Sequence, residues 1–214
     1  MNESRAEIQR YSDEYIKLKK PTRFLTIDDF IWVKDGVLSP EFCNNCIEKF
    51  DRSDELIDGH VGAGIAKQIK DTKDLMVSVS DEWRKEDVVF KNSLQECVMQ
   101  YVEHMDAISN GFELCNHEFY DTGYQIQRYE PGAGYKWHND DNLPQGQEQR
   151  CFTFIWYLNT VEVDGYTQFV SGTRVRAKQG RLVIFPSAWT YLHRGYPPKN
   201  QRKYICTGWL HAHG

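Results

Sequence analysis

The sequence predicts an α+β fold, mainly β in its core, with N-terminal helices packed on a β-sandwich or jelly roll. Three observations carry this. Helical spacing of apolar residues is confined to the first half of the chain. After Gly111 the chain becomes short apolar runs separated by PGAG, DNLPQG, DG, SG and YPPKN, which are turn signals between strands. Of the 214 residues 40% are hydrophobic and 14% aromatic, enough to bury one sizeable core and to line cavities with rings. No internal repeat or low-complexity tract interrupts this order.

Residues 1–22 are a charged N-terminal extension with a weak helical pattern (Ile8, Tyr11, Tyr15) that ends at Pro21. The remainder, 23–214, reads as a single domain with its core at about 120–212. A short strand is expected around Phe30 to Val33. Ser39 as N-cap, Pro40 at the first helical position and Glu41 then start a helix. Its face is Phe42, Cys43, Cys46, Ile47 and Phe50. Gly59, Gly62 and Gly64 lie in a loop-like stretch that lacks the Lys-Ser/Thr of a phosphate-binding loop, so residues 57–73 are expected to be a flexible loop. Residues 85–108 form the longest helix, with Phe90, Leu94, Cys97, Val98, Tyr101, Val102 and Met105 along one stripe. Strands follow at 124–129, 151–158, 166–170, 173–177, 181–186 and 202–210.

Several function classes fall behind at this point. With 26 Lys+Arg against 31 Asp+Glu the net charge is −5, opposite to a general nucleic-acid footprint, so no nucleic-acid partner is expected. No apolar run of about 18 residues exists to span a membrane. The polar start MNESRAEIQRYSDEY does not resemble a secretory signal, and a cytoplasmic protein with reduced thiols is expected. Cys43-x-x-Cys46 has no second metal-binding pair at zinc spacing and reads as small apolar residues on a buried helix face. The sequence does not indicate an oligomeric state.

Most of the seven histidines read as ordinary: His60 in the glycine loop, His104 on the long helix, His117 in a turn, and His211 and His213 near the end. His138 and Asp140 differ. They follow a glycine turn as Trp137-His138-Asn139-Asp140, and positions i and i+2 of an extended segment project to one side. Such a pair is a weak signal without a third ligand, and His193, after the strand RLVIFP, is the candidate. Two imidazoles and one carboxylate on one face of a metal favour non-haem Fe(II) with open positions. Alternation offers an independent check: Gln125, Gln127 and Tyr129 share a face, as do Thr153, Ile155 and Tyr157, and Lys203, Ile205, Thr207 and Trp209. If these faces point inward, a lysine lies near the metal and needs an anion. The alternative, with Lys203 in solvent and Arg202 or Tyr204 inside, fits the pattern equally well.

The ordered set Gln127-x-Tyr129-x-Pro-Gly-x-Gly-Tyr135-x-x-His138-x-Asp140, then Tyr157-Leu158-Asn159, then His193-x-Gly195-x-Pro197 and Lys203, resembles the 2-oxoglutarate and Fe(II)-dependent oxygenases. Within them it is most similar to the prolyl 4-hydroxylase-like branch. The likeness is continuous over about 124–210 and fainter in GVLSPEFCNNCIEKF and KDTKDL. It implies a double-stranded β-helix core and a dioxygenase that couples oxidative decarboxylation of 2-oxoglutarate, giving succinate and carbon dioxide, to hydroxylation of a substrate C–H bond. The implied iron ligands are His138, Asp140 and His193, with Asp140 favoured over Asp141 by spacing. Lys203, ten positions past the distal histidine, would bind the far carboxylate of 2-oxoglutarate. Tyr129 and Tyr157 would help hold this cosubstrate, and Thr207 and Trp209 would pack beside it. Cofactors implied are Fe(II), 2-oxoglutarate and O2, with ascorbate as reductant. The substrate would be a peptide, with peptidyl proline as the nearest guess, or a metabolite.

The chain departs from the family pattern after the Tyr-Leu-Asn strand, where Tyr166 and Gln168 stand at positions commonly occupied by Glu; this bears on substrate detail. Nucleobase-demethylating relatives carry an Arg six residues past the Lys203 position, whereas here Trp209 stands there. Arg174, Arg176 and Lys178 read as the solvated face of a strand. Two other classes remain open at this stage: a cupin-like metal-binding protein without oxygenase activity, and a degenerate jelly roll that only binds. Neither requires Lys203 or inward-facing tyrosines.

Overall fold

The computed structural model describes residues 25–62, 64–108, 118–141 and 149–212. The N-terminal extension (1–22), Cys115, His117, His213 and most of the loop after Asp141 lie outside the described residues. In chain order the elements are β1 (Trp32–Lys34), α1 (Pro40–Asp51), β2 (Ile57–Asp58), β3 (His60–Val61), β4 (Gly64–Ile65), β5 (Lys73–Met76) and α2 (Arg84–Ile108). There follow β6 (Phe119–Asp121), β7 (Gln125–Tyr129), β8 (Tyr135–His138), β9 (Arg150–Tyr157), β10 (Thr167–Phe169), β11 (Arg174–Val175), β12 (Arg181–Pro186), β13 (His193–Gly195) and β14 (Lys203–Ala212).

Period-two alternation in the apolar strands builds two cores on either side of one sheet. Phe154 and Trp156 of β9, Leu182 and Ile184 of β12, and Tyr204, Cys206 and Leu210 of β14 pack outward with the helices. Ile155 and Tyr157, Val183 and Phe185, and Ile205 pack inward with Phe169 and Val175 of a second sheet. The large sheet runs β1-β12-β9-β14-β7-β5-β2, with β6 added beside β14; the small one runs β11-β10-β13-β8. All their pairings are antiparallel. Two such sheets face to face, with helices covering one, are the double-stranded β-helix with its buttress.

Helix α1 starts where the chain chemistry places it: the Ser39 hydroxyl accepts from the Phe42 N–H at 3.1 Å, and Pro40 occupies the first turn. It buries Cys43, Cys46 and Phe50. Helix α2 buries Phe90, Leu94, Cys97, Tyr101 and Met105, and the Phe90 ring meets Trp156 of the large sheet at 5.2 Å between centroids. The described cysteines are all free thiols. No helix among the described residues is long and apolar enough to cross a membrane.

Two expectations need correction, and one strand was not foreseen. Residues 27–30 form a 3-10 turn and the strand begins later, at Trp32, because Thr26 and Asp29 close a reciprocal hydrogen-bonded box around that turn. The stretch 57–73 is not a loop throughout. It holds β2, the antiparallel β3–β4 pair, and then β5 beside β7. Its polar residues hid these strands: the β5 pattern Lys73-Asp74-Leu75-Met76 offers few apolar residues to the core. Finally, the strand at 119–121 beside β14 went unpredicted because its three residues are too few to show a period.

Candidate metal centre

Strand β8 leads into the site through a turn that only glycine tolerates well: Gly132 has φ +82°. The chain then runs extended through His138 and reaches Asp140, while β13 pairs with β8 so that His193 lies opposite His138. The two imidazole centroids are 4.2 Å apart. His138 Nε2 lies 3.7 Å from Asp140 Oδ1, and His193 Nε2 lies 3.6 Å from Asp140 Oδ2. These separations exceed hydrogen-bond length, and one ligand atom from each residue lies within 4.8 Å of the others. Among the described residues this is the one such cluster.

The tautomers follow from the backbone. His138 Nδ1 lies 2.7 Å from the Lys136 carbonyl oxygen, and His193 Nδ1 lies 3.0 Å from that of Tyr191. A carbonyl can only accept, so each Nδ1 carries a proton and Nε2 is the atom that each ring offers to the cluster. Burial, and then the neighbouring His193, push the His138 pKa down to about 4, which keeps the imidazole neutral at physiological pH. Asp140 is buried, which alone would raise its pKa. The two imidazoles, the Thr153 hydroxyl at 2.7 Å and the Trp209 indole outweigh that burial and hold it low. Thr153 also bonds Ser187 at 2.9 Å, so the carboxylate is oriented from behind. Two imidazoles with Nδ1 pinned to backbone carbonyls and one carboxylate held by Thr153, all pre-oriented, fit a divalent iron with open positions.

The cavity around these groups is lined by Tyr129, Tyr135, Thr153, Ile155, Lys203, Ile205 and Trp209, among others. Lys203 opens β14 and is only 1% exposed, and its ammonium has neither hydrogen bond nor ion pair among the described residues. Its ammonium sits 4.3 Å over the Tyr129 ring, and burial alone pushes its pKa down to about 7. Of the two alternation readings, Lys203 is therefore the inward one; Arg202 reaches Glu130 at the surface, and Tyr204 packs on the helical side.

The other predicted residues occupy distinct settings. The Tyr129 hydroxyl donates to Gln127 at 2.8 Å, and burial raises its pKa. Tyr157 is fully buried; its hydroxyl donates to Thr167 at 2.7 Å, and it is Thr167 that lines the cavity. Thr207 lines it too, but its hydroxyl donates to the Phe154 carbonyl at 2.7 Å. Trp209 lines it with the Arg150 guanidinium stacked 3.6 Å from its ring. Arg174, Arg176 and Lys178 are exposed.

Sequence reasoning missed a buried pair behind Tyr135, whose ring lies 5.8 Å from the Lys70 ammonium. Lys70 and Asp74 form a buried ion pair at 2.6 Å, and the segment carrying them joins both sheets. The Ile69 carbonyl accepts from the Lys136 N–H of β8 and the Asp71 N–H donates to Gly134 just before that strand, while β5 pairs with β7. Tyr135, also missed as a site residue, stacks on His138 at 3.5 Å. Its place three residues before His138 was the available signal.

Residues 124–211 match the sequence family described as the 2OG-Fe(II) oxygenase superfamily. No curated protein matches the chain. Among solved structures, the 2OG complex of a viral collagen prolyl hydroxylase from Paramecium bursaria Chlorella virus-1 is 21% identical, with a TM-score of 0.64 over 88% of this chain and 100% of that one. A prolyl hydroxylase from Trichoplax adhaerens, bound to a hypoxia inducible factor oxygen degradation domain peptide, is 16% identical, with a TM-score of 0.67 over 96% and 92%. A Pseudomonas putida prolyl-4-hydroxylase is 18% identical, with a TM-score of 0.58 over 86% and 96%. At these identities the structural likeness speaks for the fold.

Proposed function

We propose, from the match of residues 124–211 to the 2OG-Fe(II) oxygenase superfamily, that the protein hydroxylates a prolyl residue of a peptide substrate through His138, Asp140, His193 and Lys203. The chain is a 2-oxoglutarate-dependent non-haem iron dioxygenase that uses Fe(II), 2-oxoglutarate and O2. The observation that carries the residue assignment is the coexistence, in one cavity, of three converging metal donors and a buried ammonium with no anion of its own.

Iron with 2-oxoglutarate supplies the oxidising chemistry; the chain supplies position and environment. His138 and His193 offer Nε2, and Asp140 offers a carboxylate held by Thr153. Lys203 would bind the distal carboxylate of the cosubstrate by a charge-assisted contact and so regain a partner. Tyr129 packs under that ammonium, and Ile155 and Ile205 form an apolar wall that limits water. A metal-binding jelly roll without turnover would have no use for a buried unpaired cation, since such a group only costs stability. Ascorbate as reductant and a peptide as partner belong to the same proposal. The Trichoplax neighbour is a prolyl hydroxylase with a peptide bound, which supports the peptide reading.

The test is succinate release, with Fe(II), 2-oxoglutarate and ascorbate present, across prolyl peptides, matched alanyl peptides and small metabolites. The proposal expects turnover stimulated by a prolyl peptide and lost in His193→Ala. Stimulation by the alanyl controls to the same extent would remove proline from the reading.

A further inference from the structure

A second cavity, of about 220 Å³, adjoins the metal cavity and shares Tyr135 and Gly195 with it. Its walls set Lys67, Lys136 and Arg194 against one carboxylate, Asp71. Lys67 is within 3.4 Å of Asp58, but Lys136 and Arg194 have no carboxylate partner among the described residues.

Arg194 is held in place rather than left to sample solvent. Its guanidinium lies 4.8 Å from the Trp137 ring and 4.9 Å from the Tyr196 ring. Its Nε and Nη2 both donate to Gln168 Oε1, at 2.9 and 2.6 Å. Tyr196 in turn stacks on Tyr166 at 4.6 Å. Tyr166 and Gln168 are thus the partners that immobilise Arg194. A pre-positioned guanidinium with N–H groups to spare loses little entropy on meeting a carboxylate. Trp137, 44% exposed, adds an apolar face beside it.

We propose that this groove binds the acidic flank of an extended peptide whose reacting residue enters the neighbouring metal cavity. This rests on the peptide-hydroxylase reading above and adds to it the charge of the substrate. A chain with net charge −5 that still gathers unpaired cations along one groove selects locally for anionic ligands. Nucleic acid fits less well, because one exposed indole does not make the series of stacking platforms that single strands use.

The test uses the full chain without added iron and fluorescein-labelled peptides with a central Ala-Pro-Ala flanked by Glu, Gln or Lys. Anisotropy should show the Glu peptide binding about tenfold tighter than the Gln peptide, the order of one or two charge-assisted contacts, with affinity falling as salt rises. Arg194→Gln and Lys136→Gln should each weaken the Glu peptide several-fold and leave the Gln peptide unchanged, in proteins whose circular dichroism matches the parent. Equal affinity for all three peptides, an unchanged Glu affinity in Arg194→Gln, or tighter binding of oligothymidylate than of the Glu peptide would each overturn the inference. Glu-selective binding without succinate release would retain this inference and remove the oxygenase substrate reading. Turnover of prolyl peptides that ignores flanking charge would do the reverse.

Discussion

A buried ammonium without an anion costs several kcal/mol, and Lys203 is in that condition, with burial lowering its pKa from 10.5 to about 7. The unfolded chain therefore binds more protons than the native one between about pH 7 and pH 10.5, so stability rises with pH across that window. Lys203→Met, without 2-oxoglutarate, should unfold at a higher temperature than the parent at pH 6–7, where the ammonium carries its full desolvation cost (a test pH of about one unit below the native pKa). The gap should narrow as the pH approaches 10.5; calorimetry over pH measures it, and a parent more stable than Lys203→Met near neutrality would contradict the burial argument. The same variant should bind 2-oxoglutarate at least about a hundredfold more weakly, the scale of a buried charge-assisted contact, while retaining Fe(II). For the parent, 2-oxoglutarate affinity should fall about tenfold per pH unit above pH 7 as the ammonium is lost. At this scale the sequence was informative about candidates and silent about orientation. A period-two strand has two symmetric readings, and only the packing of Tyr204 and Cys206 against the helices turns Lys203 inward. Likewise the Nδ1 contacts to Lys136 and Tyr191 depend on backbone conformation that no residue identity reveals.

Helix α1 and the turn at Gly180 show how elements are pinned under the site. Gly180 adopts φ +76° and accepts from the Val37 and Leu38 N–H groups. A Cβ there would lie 2.3 Å from the Leu38 carbonyl oxygen. Gly180→Ala should therefore destabilise by more than about 1 kcal/mol, lowering Tm by at least about 2–4 °C. Ser39→Ala, which removes the cap on Phe42, should cost about 1 kcal/mol. Denaturant titration of both checks this, and a Gly180→Ala midpoint equal to the parent's would contradict the packing described here. The helices were legible because caps and 3.6-residue spacing are local signals. β5 was not. Its Asp74 is buried against Lys70, and that pairing is set by the two sheets closing around it rather than by any apolar pattern.

Across the whole molecule, the site is a bridge between sheets. His138 and His193 belong to the small sheet, and Asp140 follows the strand that carries His138; Lys203 belongs to the large one. Metal and cosubstrate bound together would tie the two faces, and by mass action ligands at a hundred times their Kd should add about 2.7 kcal/mol each, about 5–10 °C in Tm. His193→Ala should abolish the metal part of that gain. The jelly-roll class was readable from turn punctuation and alternation in β7, β9, β12 and β14. The two-sheet pairing that opposes His193 to His138 was not, because nothing local encodes which strands meet. The most direct measurement is anaerobic titration of the purified protein with Fe(II) and then 2-oxoglutarate, followed by visible absorption. A weak metal-to-ligand charge-transfer band should appear in the parent, saturate with 2-oxoglutarate, and be absent from His193→Ala. A folded parent that retains Fe(II) yet develops no band with 2-oxoglutarate would contradict the shared metal and cosubstrate site.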